Sequence, residues 1–100
     1  MFCILWRFKP LPHQVAAFEA AYAPQGAWGT LFSRAEGYLG TDLLKARDDS
    51  GAYITVDRWE SDQAYWRFRQ RFHAQYSELD MRMEGLTLEE TFLGQFDGLP

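Results

Sequence analysis

A single cysteine, Cys3, among 100 residues leaves no internal disulfide to form, and its place in the apolar run Phe2 to Trp6 suits a small buried thiol. Basic clusters are missing too: 10 Lys and Arg against 14 Asp and Glu give a net charge of -4. Without clustered cations, neither a nucleic-acid backbone nor an anionic membrane surface is an expected partner. Apolar runs are short. The longest stops at Arg7 and Lys9, far below the roughly 18 residues of a membrane span, and it lacks the basic lead of an export signal. With the lone thiol, this predicts a reduced, cytoplasmic protein. His13 and His73 have no HxxxH or HxxE spacing and Cys3 has no CxxC companion, so no metal site is predicted. A glycine-rich phosphate loop and a GxSxG elbow are also absent, which removes support for nucleotide use and serine hydrolysis.

What the chain does have is apolar and aromatic material. With 47% hydrophobic and 24% charged residues it lies in the globular range, and its length suits one domain over residues 1–100. Its 8 Phe, 5 Tyr and 4 Trp exceed the needs of a small core and point to a flat ligand. Phe2, Ile4, Trp6 and Phe8 alternate with Cys3, Leu5, Arg7 and Lys9, which predicts a strand over 2–9. Pro12 opens a helical segment over 12–35, bent at Pro24 and Gly26, with His13 exposed near its start. The turn Asp48-Asp49-Ser50-Gly51 sits inside a hairpin over 38–59. Ser61 caps a long helix over 62–84, with Tyr65, Phe68, Phe72, Tyr76, Leu79 and Met83 at helical spacing and Gly85 as its stop. Residues 91–96 read as a last strand.

Strand, helix, strand, strand, helix, strand is the ferredoxin-like βαββαβ order of an α+β fold: a four-stranded antiparallel sheet with two helices on one face. The first strand is apolar on both faces, and Tyr53, Trp59, Phe92, Leu93 and Phe96 add apolar surface on the others. Two helices cover one face only. The other face is expected to pack against a second copy, in an obligate homodimer.

Gly37-Tyr38-Leu39-Gly40-Thr41, Asp57-Arg58-Trp59-Glu60-Ser61 and the helix start Asp62-Gln63-Ala64-Tyr65-Trp66-Arg67-Phe68, in this element order, resemble the antibiotic biosynthesis monooxygenase family of dimeric α+β barrels. The resemblance spans nearly the whole chain and identifies fold better than chemistry. It implies a cofactor-independent monooxygenase acting on a phenol, quinol or polyketide-like aromatic, where the deprotonated substrate itself supplies electrons to dioxygen. Haem-degrading relatives are an alternative. Their Asn, Trp and haem-ligating His fall here on Arg7, Phe68 and Glu78, leaving only His73 as a substitute ligand. A dimer that binds a small apolar ligand without turnover is the third reading.

With a step of about 100° per residue, the long helix places Arg69, Asp80, His73 and Trp66 along one flank beside the core. This predicts a closed cavity between helices and sheet. His73 takes a phenolic proton, Arg69 orients the oxygen, and Trp66, Trp28, Tyr22 and Tyr76 hold the ring. The bland alternatives are a solvated His73 paired with Asp80, tryptophans that only fill the core edge, and an Arg69 in a surface ion pair. Asp57 is expected to form a structural ion pair, and Cys3 to be structural.

Overall fold

The two-sided apolar character of the first strand is explained by its position. The structure, a computed structural model describing residues 1–100, places β1 (Phe2–Pro10) inside a sheet of order β2-β3-β1-β4. The other strands are β2 (Tyr38–Lys45), β3 (Tyr53–Trp59) and β4 (Thr87–Asp97), and every pairing is antiparallel. This is the ferredoxin-like α+β plan. β4 is longer than the 91–96 segment read from sequence, because Thr87 to Glu90 continue the ladder opposite Pro10 to Phe8. A register shift at Leu5/Trp6 sets Leu93 outside the regular pairing.

Both helical segments are broken. The first consists of a 3-10 turn at Pro12–Gln14, then α1 (Val15–Tyr22) and α2 (Ala27–Phe32), and it ends before residue 35. The bend at Pro24 is tight enough that a Cβ on Gly29 would run into the Pro24 carbonyl oxygen. The second segment, expected as one helix to residue 84, is α3 (Asp62–Arg71) and α4 (His73–Met83) with a 3-10 turn at Glu84–Leu86. Its cap is the expected one: Ser61 Oγ accepts from the Ala64 N–H at 3.1 Å. Phe72 leaves helical geometry at φ -108°, ψ 29°, and its ring stays buried, stacked on Phe68 at 5.5 Å. Gly37, at φ 89°, makes the turn into β2.

Strand alternation puts Phe2, Ile4, Phe8, Tyr53 and Trp59 in the core beneath the helices, with Phe18, Phe32 and Phe68 packed on them. Cys3 is buried and free. The opposite face carries Leu5, Leu44, Ile54, Val56 and Phe96, with Leu44 51% and Phe96 48% exposed. No helix is long and apolar enough to cross a membrane.

Candidate functional site

Between the helices and the sheet lies a cavity of about 350 Å³. Its walls come from three directions. Trp6 and Phe8 project from β1, Thr41, Thr55 and Asp57 from β2 and β3, and Tyr22, Trp28, Phe32, Arg69 and Tyr76 from the helices. Asp80 and Glu90 also line it and are exposed, which marks its open side. The aromatic wall is continuous: Tyr22 and Trp28 have ring centroids 6.3 Å apart, and Trp28 and Tyr76 are 5.1 Å apart. Arg69 lies with its guanidinium 3.9 Å from the Tyr76 ring centroid and donates from Nη1 to the Tyr65 hydroxyl at 2.9 Å. Its Nε is buried and has no hydrogen-bond partner in the protein.

Asp57 is the carboxyl on this wall. Tyr53, Thr55, Asp57 and Trp59 alternate onto the helix-facing side of β3, so the chain is committed to turning this acid inward. The Thr41 hydroxyl donates to Oδ1 at 2.7 Å and lies 2.6 Å from the Tyr38 hydroxyl, giving a chain Tyr38, Thr41, Asp57. Oδ2 has no partner in the protein. Burial pushes the Asp57 carboxyl up from 3.8 to about 6, against the smaller opposing effects of the Thr41 bond and the nearby Arg58 charge. Burial also raises Tyr22, to about 12, and raises Tyr76 further, so both phenols stay neutral. The expected ion pair of Asp57 is not formed. Arg58 points to the other face of the sheet and pairs with Asp42, and the remaining ion pairs are Arg7 with Glu89 and Arg82 with Glu78.

Of the residues singled out in the sequence, Arg69, Trp28, Tyr22 and Tyr76 meet on this cavity. Trp66 and His73 do not. Together with Arg69 and Gln70 they line an open depression on the outer surface, and Trp66 is 50% exposed. The correction has a physical cause. At about 100° per residue, His73 and Trp66 stand roughly 90° and 110° from the core direction between Phe72 and Tyr65, against roughly 50° for Arg69, so they turn outward while Arg69 reaches the cavity. Nor does His73 pair with Asp80, since no ion pair includes either. The residue missed as a site candidate is Asp57, although its alternation with Tyr53 and Trp59 already placed it on the buried face. No three His, Cys, Asp or Glu side chains converge to hold a metal ion.

Similar folds are found among solved structures. SnoaB, a cofactor-independent oxygenase from Streptomyces nogalater, superposes with a TM-score of 0.74 at 22% identity, covering 99% of this chain and 93% of that one. Rv0793 from Mycobacterium tuberculosis gives 0.70 at 22% identity, covering 99% and 98%. PA3566 from Pseudomonas aeruginosa gives 0.68 at 20% identity, covering 99% and 94%. No protein of curated function matches the chain in sequence. The family model described as antibiotic biosynthesis monooxygenase matches residues 1–76, which run from β1 through the Tyr76 side of the cavity. By that match, which covers 76 of the 100 residues, the chain belongs to the antibiotic biosynthesis monooxygenase family.

Proposed function

We propose that this chain is a cofactor-independent monooxygenase of the cytoplasm that oxidises a small electron-rich aromatic, a phenol or quinol, in the cavity between helices and sheet. The observation that carries this is the aromatic-walled cavity itself, with room for a fused-ring substrate and with Trp28, Tyr22 and Tyr76 set to hold a flat ring. Arg69 supplies positive charge at the same wall and orients an oxygen of the substrate. The chemistry balances without a further reductant. A phenol loses its O–H and one ring C–H hydrogen, one oxygen atom of dioxygen becomes the second carbonyl of a quinone, and the other leaves as water. The ring gives four electrons and dioxygen takes four. The protein has only to bind, assist proton removal and exclude bulk water.

α-Naphthol is a suitable test compound. Anaerobic titration is expected to show binding, and aeration is expected to yield naphthoquinone with one dioxygen consumed per product and label from isotopic dioxygen in the new carbonyl. Trp28→Ala should raise KM several-fold, as loss of stacking worth about 0.5–1.5 kcal/mol requires. Binding without oxygen uptake would instead make the chain a small-ligand-binding protein.

The homodimer belongs to the same proposal. Leu5, Leu44, Ile54, Val56 and Phe96 form an apolar face that the helices leave uncovered, and covering it contributes about 25 cal/mol per Å². Val56 lies between Leu5 and Asp42 in the sheet, within that face. The wild-type chain is expected to sediment as a dimer at micromolar concentration, and Val56→Asp to aggregate or unfold. A stable wild-type monomer would remove the dimer from the proposal.

A further inference from the structure

We infer that Asp57 is the proton acceptor of the cavity, a catalytic carboxylate that takes the phenolic proton of the substrate, with Thr41 and Tyr38 as the positioning residues that aim it. The inference rests on the aromatic-oxidation reading above and adds to it the group that starts the reaction. Three observations carry it. Asp57 lies on the wall of the cavity that holds Tyr22, Trp28 and Tyr76. One of its oxygens is fixed by Thr41 at 2.7 Å while the other has no partner in the protein. No cation forms an ion pair with it, and the adjacent Arg58 is engaged with Asp42 on the other face of the sheet. A carboxylate that served only to tie β2 to β3 needs one oxygen for Thr41. It does not need a second one left free beside a cavity.

The step is a plain proton transfer. The phenol O–H breaks, a new O–H forms at Oδ2, and the phenolate is left with the electron pair that it passes toward dioxygen, steadied by the guanidinium of Arg69. Because Thr41 donates to Oδ1, the incoming proton is directed to Oδ2. His73, on the outer surface, takes no part.

Other groups around Asp57 bear on its pH dependence. Arg58 is its neighbour on β3, Tyr38 lies on β2, and Tyr22 and Tyr76 face it from α1 and α4. Arg69, Asp80 and Glu90 line the same cavity from α3, α4 and β4. With burial holding its carboxyl at about 6, activity is expected to fall as the pH drops through that value, since the protonated acid accepts nothing.

The test is Asp57→Asn, in which the amide oxygen still accepts from Thr41 but no basic oxygen remains. With α-naphthol, the variant is expected to lose about 10²- to 10⁴-fold in kcat with little change in KM, and to lose the acidic limb of the kcat/KM profile. In Asp80→Asn and Glu90→Gln the limb should stay where it is. A variant of Asp57 that keeps the rate or the limb overturns the inference and leaves the oxygenase reading intact. If the wild-type chain turns over no α-naphthol, the oxygenase reading fails and the role of Asp57 is decided without turnover. p-Nitrophenol, under nitrogen and at a pH where it is mostly phenolate in solution, should then take up close to one proton on binding to the wild type, because phenolate and Asp57 carboxylate share one, and a dye in weak buffer reads the uptake. Binding to Asp57→Asn should take up none. The same proton uptake in both, or no binding to the wild type, overturns the inference.

Discussion

Trp59→Ala is expected to lower the unfolding free energy by about 3–5 kcal/mol, a large share of the roughly 5–15 kcal/mol that holds a domain together. Trp59 is 0% exposed and sits at the end of β3, paired with both Phe2 and Tyr38. Its ring meets Tyr38 at 5.2 Å, Phe68 at 5.2 Å, Tyr65 at 5.5 Å and Phe32 at 5.7 Å, so it joins the sheet to α2 and α3 at once. Alanine would leave a void that four rings on three elements cannot close together. The indole N–H has no hydrogen bond in the structure, so the side chain contributes as packed hydrocarbon. Trp59→Phe should therefore recover most of the loss. Urea denaturation at fixed protein concentration measures both; a shift below about 1 kcal/mol in Trp59→Ala would show that the surrounding rings collapse into the gap.

Asp57→Asn is expected to make the chain more stable at neutral pH by about 3 kcal/mol, in the opposite direction to its effect on catalysis. The sign follows from proton uptake. In the folded chain Asp57 holds its proton up to about 6, whereas its ordinary value is 3.8. Between about pH 4 and about pH 6 the folded state binds more protons than the unfolded one, so stability falls as the pH rises through that window and levels off above it. Below it both states are protonated and the carboxyl contributes no slope. Asparagine removes the titration, and the difference between the two proteins should open across this window and remain constant at higher pH. Unfolding curves from pH 4 to pH 7 at one protein concentration check this. A wild-type slope that persists in the variant would assign it to another group.

The sheet and its covering helices were legible in the sequence because their signals are local. Period-two alternation marks β1, Ser61 announces α3, and Asp48 to Gly51 mark the hairpin turn. The cavity was legible in part. Tyr22, Trp28, Arg69 and Tyr76 reached it, since each lies within one regular helical stretch whose phase a wheel can follow. His73 and Trp66 fall outside it because they lie at the outer end of the helix flank, where a wheel gives a direction but not how far the wall of a cavity extends round the helix. Asp57 shares a strand face with Trp59 by alternation, and that pattern leaves open whether an ion pair or a cavity receives it. Whether a cation reaches it depends on which face of β3 Arg58 takes and on where Asp42 lies in β2, and such cross-strand detail is not carried by local pattern.

The sheet order also governs how the chain reaches its fold. β1 lies between β3 and β4, and Phe2 pairs with Trp59 on one side and Asp97 on the other. During synthesis its two-faced apolar strand is therefore made before either neighbour and must wait for both. Closing the β1–β4 ladder spans nearly the full chain, which places folding among the slower, high-contact-order cases. In the interval, Phe2 to Phe8 is an unpaired and largely apolar strand, the kind of segment that is prone to aggregate until its edges are paired. Expression yield, more than equilibrium stability, should be the property most sensitive to changes in β4.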